Sequence, residues 1–105
     1  MTTFLFSYRS PADYQPRPDT RDEWRSFFAG MGANLADPGN PVFESTTLGT
    51  CGSATARLGG YSLVTADDLD AAVAIAKTCP FLSQGGGVEI GVITETYRDK
   101  QLVQD

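Results

Sequence analysis

Two amphipathic helical stripes, each set between short β-branched and aromatic runs, constrain this chain more than any other sequence feature. Thr3-Phe4-Leu5-Phe6-Ser7-Tyr8 is apolar at alternate positions, with Phe4, Phe6 and Tyr8 on one face and Leu5 and Ser7 on the other, and reads as strand one. Arg9 to Asp19 holds Pro11, Pro16 and Pro18 and reads as a loop, because proline lacks the backbone donor that helices and central strands need. Thr20-Arg21-Asp22-Glu23 has the spacing of a capping box. Trp24, Phe27, Phe28, Met31 and Leu35 follow on one helical stripe. Asp37-Pro38-Gly39-Asn40-Pro41 is a turn, and Val42-Phe43-Glu44-Ser45-Thr46-Thr47-Leu48 is predicted as strand two. Gly49 to Thr55 suits a hairpin loop or a fraying strand end, and it lacks the Gly-Lys-Ser/Thr signature of a phosphate cradle.

Leu58 to Val64 is predicted as strand three, its paired Gly59 and Gly60 suggesting a bulge. Thr65 and Asp68 form a second capping-box pattern before a helix expected over Ala66 to Thr78. Leu69, Ala72, Val73 and Ala76 make its buried stripe, Ile75 flanks it, and Pro80 stops it. Asp67, Asp68 and Asp70 resemble a metal cluster, but their place in a first helical turn explains them as cap and dipole partners. Ser83 to Gly87 is a glycine turn, and Val88 to Ile93 is strand four.

The order β-α-β-β-α-β is that of the ferredoxin-like split βαβ unit. The expected fold is α+β, an antiparallel four-stranded sheet with two helices on one face. A sheet with one wet face should alternate cleanly between apolar and polar. Here strand one carries Leu5 opposite its aromatic face, and strand two carries Val42 and Leu48 opposite Phe43. Apolar side chains on both faces predict a homodimer packed sheet to sheet. Residues 1–95 are expected to form a single domain, and residues 96–105 a C-terminal tail that is either a dimer arm or disordered.

Composition then narrows the chemistry. The 105 residues contain no histidine, which removes Ser-His-Asp and Cys-His catalysis, histidine metal ligation and histidine pH switching. A net charge of -5 argues against nucleic acid as a partner. No apolar run is long enough for a membrane span, and the N-terminus lacks the basic start of a secretory signal. Cys51 and Cys79 stand outside any CxxC pattern and read as two buried thiols in a reducing cytoplasm. With no dinucleotide fingerprint or cysteine cluster either, no cofactor is expected.

Leu58-Gly59-Gly60-Tyr61, Thr65-Ala66-Asp67-Asp68-Leu69-Asp70, Cys79-Pro80 and Gly86-Gly87-Val88-Glu89-Ile90 together resemble the YCII-related family, also called DGPF-domain proteins. The resemblance spans most of the chain, is most specific in the second half, and matches Trp24 and the first helix more loosely. It implies a ferredoxin-like fold and a dimeric α+β barrel with a cleft between sheet and helices. The family's Asp-Gly-Pro-Phe would fall on Leu48-Gly49-Thr50-Cys51, where only Gly49 is kept. The acidic residue and Lys-Glu pair that usually follow would fall on Ser53, Thr55 and Ala56, and a frequent arginine is replaced by Gly91. The histidine proposed as catalytic in some members has no counterpart. The chain thus resembles a divergent member with a less polar cleft.

Candidate cleft residues are Tyr8, Arg9, Trp24, Phe28, Phe43, Arg57, Tyr61 and Glu89. Glu89 alternates with Val88, Ile90 and Val92 and is expected to pair with Arg9 or Arg57. The two arginines suit an anionic ligand, and the two tyrosines combine an apolar body with a hydroxyl tip. Two readings follow. One is a non-catalytic dimeric domain that binds a small, mostly apolar molecule or a protein partner. The other is a small cofactorless enzyme of lyase, isomerase or monooxygenase type, with Arg9, Glu89 and Tyr61 near the substrate. A cleft filled by Trp24, Phe28 and Phe43 favours the first, and an open pocket with Glu89 unpaired favours the second.

Overall fold

The computed structural model describes residues 1–51 and 56–103. Its main elements are β1 (Thr2–Pro11), α1 (Thr20–Met31), β2 (Leu35–Asp37), β3 (Ala56–Ala66), α2 (Leu69–Ala76) and β4 (Gly87–Val92). The sheet order is β2-β3-β1-β4 with every neighbouring pair antiparallel. With its two helices this is an α+β, ferredoxin-like arrangement.

The alternation in β1 sets the layers. Phe4, Phe6 and Tyr8 are buried, whereas Leu5 is 39% exposed. Cross-strand partners share a face, so Ser62 and Val64 of β3 and Val88, Ile90 and Val92 of β4 line up on the Phe4 side. Phe27 and Met31 of α1 and Ala72 and Ala76 of α2 complete this core. The alanines of α2 allow close approach of helix to sheet. Gly59 is the bulge that the paired glycines predicted: Tyr8 faces Gly60, but Arg9 faces Leu58.

Several boundaries differ from the sequence expectation. β1 runs on through Arg9 to Pro11, where proline closes the strand and its carbonyl accepts from the Tyr14 amide at 3.1 Å. Leu35 is not on the α1 stripe. Gly32, at φ 56, ends the helix, and Leu35 pairs with Val64 as the first residue of β2. Strand two therefore lies at Leu35–Asp37 rather than Val42–Leu48. After Asp37 the chain turns at Pro38-Gly39, bridges once at Pro41 to Gly60, and bonds the Val42 amide to the Gly59 carbonyl at 3.1 Å. No ladder pairing continues among the described residues from Phe43 to Cys51. Prolines at 38 and 41 interrupt the edge that these residues would have joined.

The caps differ too. Asp19 occupies the N-cap of α1 without capping it through its side chain, which pairs with Arg17 at 3.6 Å. The Thr20 hydroxyl instead accepts from the Arg17 amide at 2.7 Å, and Glu23 receives the Arg17 guanidinium at 3.0 Å. For α2 the cap is Asp68, whose carboxylate accepts from the Ala71 amide at 2.8 Å. Thr65 belongs to β3 and donates to the Asn34 carbonyl at 3.3 Å. α2 is shorter than Ala66 to Thr78 because β3 holds Ala66 and the Cys79 amide already turns back to Ala76. Leu69 and Val73 face water rather than the core. Residues Pro80–Gln84 form a 3₁₀ turn that buries Phe81, so the glycine turn is reduced to Gly85 and Gly86. In the tail, β5 (Tyr97–Arg98) and β6 (Gln101–Leu102) make a separate hairpin, turning at Asp99 and Lys100 with positive φ.

Candidate functional site

The predicted cleft residues divide between the two faces of the sheet. Tyr8, Trp24 and Phe28 lie on the helix side. The Trp24 ring sits 4.8 Å from Tyr8, 5.7 Å from Phe27, 5.8 Å from Phe28 and 5.0 Å from Phe81, the contacts with Tyr8, Phe27 and Phe81 being edge-on. Tyr14 closes the far side, 5.1 Å from Phe81. Each such pair adds about 0.5–1.5 kcal/mol beyond burial. The space between helices and sheet is thus occupied by the chain's own rings. Phe43, the third expected filler, is not among them: it is 82% exposed, because the segment that carries it leaves the sheet.

Within this cluster the Tyr8 hydroxyl donates to Ser62 Oγ at 2.9 Å, and Ser62 Oγ donates to the Pro38 carbonyl at 2.7 Å. Burial pushes the Tyr8 hydroxyl up to about 12. The Cys79 thiol, buried as expected whereas Cys51 is exposed against expectation, is also pushed up, mainly by desolvation. Both groups therefore stay protonated at neutral pH. Sequence reasoning missed Phe81 and Tyr14. Phe81 follows the Cys79-Pro80 stop directly, and an apolar pair after a proline is a usable signal; Tyr14 is masked by its proline-rich surroundings.

Arg9, Tyr61 and Glu89 come together on the opposite, open face. Tyr61 and Glu89 both face Ser7, and Arg9 lies one step further along β1. Arg9 Nη2 and Glu89 Oε1 are 3.3 Å apart, so of the two expected arginine partners Glu89 takes Arg9. Its side chain is 74% exposed. The Asn40 amide reaches the Tyr61 hydroxyl at 3.5 Å. Arg57 stands at the rim and donates to the Ala12 carbonyl at 3.2 Å, away from the pair. A groove of about 550 Å³ adjoins the pair, lined by Arg9, Thr50, Cys51, Gly87 and Glu89 among others. Thr50 and Cys51 fall where the resemblance places part of the family motif, whereas Ser53 and Thr55 lie outside the described residues. Leu5, Leu58, Tyr61 and Ile93 expose apolar surface on this same face of the sheet.

Among the described residues no three His, Cys, Asp or Glu side chains converge in a way that could hold a metal, and Asp68 serves its helix cap. No helix among them is long and apolar enough to cross a membrane.

The split sheet with two covering helices defines a small α+β domain of ferredoxin-like type. The family model of the YCII-related domain matches residues 1–96, and the chain belongs to that family. No curated protein and no solved structure matches it significantly.

Proposed function

We propose that this YCII-related chain is a homodimeric, non-catalytic binding domain. Two copies pack through their open faces, and the groove beside Arg9 and Glu89 receives a small molecule or a segment of a protein partner. One observation carries this reading. The chain exposes 7358 Å², whereas a compact monomer of 11.2 kDa exposes about 5700 Å². The surplus of roughly 1700 Å² exceeds the ~800 Å² that each partner buries in an interface of standard size. The radius of gyration, 14.7 Å, is likewise above the ~13 Å expected of a compact chain this long. Free thiols at exposed Cys51 and buried Cys79 fit a reducing cytoplasm.

Binding is favoured over catalysis because the cleft between helices and sheet is filled by Trp24, Phe28 and their neighbours. Glu89 is already held by the Arg9 guanidinium at 3.3 Å, whereas a general acid–base group needs a carboxyl free to exchange a proton with substrate. A second reading, a cofactorless lyase, isomerase or monooxygenase, is favoured by the grouping of Arg9, Tyr61 and Glu89 beside one groove. It requires that Glu89→Gln or Arg9→Ala abolish any turnover the protein is found to have.

The test is molar mass by light scattering at micromolar concentration. Twice the chain mass is expected for the natural sequence, and a monomer for Leu5→Asp, which puts a charge in the middle of the open face. A monomeric natural sequence overturns the proposal.

A further inference from the structure

The residues from Phe43 to Leu48 have the composition of a strand and no strand to join. Four of the seven residues in Val42-Phe43-Glu44-Ser45-Thr46-Thr47-Leu48 are β-branched or aromatic, and one is charged. The last bond to the sheet is made by the Val42 amide. Beyond it Phe43 and Leu48 are 82% and 95% exposed. In a strand these two side chains would fall on opposite faces.

Among the described residues the sheet also offers one unprotected edge. The β2 edge is three residues long and is broken by Pro38 and Pro41. The β4 edge is six residues long, has no proline or lysine, and carries one charge, Glu89, which Arg9 holds. The Ile93 amide bonds inward to the Thr3 carbonyl. By the alternation of an antiparallel ladder, the backbone groups of Val88, Ile90 and Val92 then point outward from the sheet. Their side chains lie on the helix face and leave an apolar row to be extended there.

From these two features we infer that the Phe43–Leu48 segment of one copy adds as a fifth strand to the free β4 edge of the other. The inference rests on the homodimer proposed above and names the contact that closes it. Each copy donates one segment and receives one, so the exchange is twofold and closed. The outward groups of Val88, Ile90 and Val92 gain ladder partners. Phe43 and Leu48 each leave water, one beside the Val88–Ile90–Val92 row and the other on the open face. Direct pairing of two β4 edges would leave both exposed, and so accounts less well for the surplus surface.

Hydrogen exchange followed by NMR, with light scattering on the same samples, tests it. Val88, Ile90 and Val92 amides are expected to be protected, and the protection to rise with protein concentration in step with dimer mass. Thr46→Pro and Thr47→Pro together cover both phases of a strand, so one of them removes a ladder donor. That variant should release the three amides and weaken dimerisation at least tenfold. Both substitutions lie in a segment without ladder pairing in its own chain, and an unchanged circular-dichroism spectrum checks that the fold is kept. A dimer whose three amides exchange freely, or stay protected in both variants, overturns the strand exchange and leaves the homodimer standing. Protection independent of concentration also overturns it, because the segment would then have folded onto its own chain. A monomer at all concentrations overturns both.

Discussion

The chain of hydroxyls beneath the helices gives an asymmetric prediction. Tyr8 donates to Ser62, Ser62 donates to Pro38, and both side chains are buried, at 3% and 0% exposure. In Tyr8→Phe one hydrogen bond is lost, but Ser62 still has the Pro38 carbonyl as its acceptor. The cost should be about 1 kcal/mol, the net value of one intramolecular bond. In Ser62→Ala the Tyr8 hydroxyl becomes an orphaned buried donor, while the Pro38 carbonyl, on an exposed residue, can turn to water. That change should cost about 2–3 kcal/mol, because the desolvation penalty is no longer offset. The double variant removes both members together and should cost less than the sum, with a coupling of about 1 kcal/mol. Urea unfolding at fixed protein concentration measures all three. A Tyr8→Phe cost larger than that of Ser62→Ala, or additive costs, would refute this account of the network.

The same tyrosine makes stability depend on alkaline pH. Its hydroxyl titrates near pH 10.0 when unfolded and is held at about 12 in the fold by burial. Folding therefore favours the protonated form, and the unfolded chain releases its proton first. The stabilisation is complete below pH 10 and is lost as pH rises from 10 towards 12. A shift of this size corresponds to about 2–3 kcal/mol. Tyr8→Phe should flatten that part of the profile.

Other outcomes follow from single contacts. Asp68→Ala should destabilise by about 1 kcal/mol through loss of the α2 cap, read from thermal melts. Gly39→Ala should cost more, about 2 kcal/mol or above, because the residue has φ 68 and a methyl there would meet the Tyr61 carbonyl. In the monomeric Leu5→Asp background, Glu89→Gln should change stability by less than about 1 kcal/mol, since in the single chain its ion pair with Arg9 is solvent-exposed. A thiol reagent should label exposed Cys51 in the folded protein and reach buried Cys79 only on unfolding.

Where one period dominated, local pattern translated directly into position. The alternation of Phe4, Phe6 and Tyr8 fixed both the strand and its buried face, and Trp24, Phe27, Phe28 and Met31 fixed the packed side of α1. Glu89 could be placed opposite its apolar neighbours, but which face that was depended on the helices, which period-two reasoning along β4 does not see. Arg9 reaches Glu89 through the regular β1–β4 ladder, whereas the bulge at Gly59 puts Leu58 rather than Gly59 beside Arg9 on the other side. Paired glycines announce a bulge without saying which residues it brings together. Phe81 joins the cluster only because a 3₁₀ turn folds it under Trp24, a tertiary consequence with no periodic signature.

The displaced second strand shows most clearly how local and global preferences compete. Val42–Leu48 has the better strand composition, yet Leu35–Asp37 holds the place beside β3. Chain length explains why. α1 ends at Met31, and a single 3₁₀ turn delivers Leu35 opposite Val64, whereas Val42 arrives only after two prolines have broken the edge. Proximity in the chain wins because closing a short connection costs less entropy than closing a longer one. The better strand former is thereby left over, ending on Leu48, which is 95% exposed, and a surplus of that kind is stable in water only if another surface takes it up. Exchanging Pro38 and Pro41 for threonine tests this competition. If the prolines keep Val42–Leu48 out of the sheet, the amides of Phe43 to Leu48 should gain exchange protection at every protein concentration, and the dimer should weaken as its donated segment folds back onto its own β3.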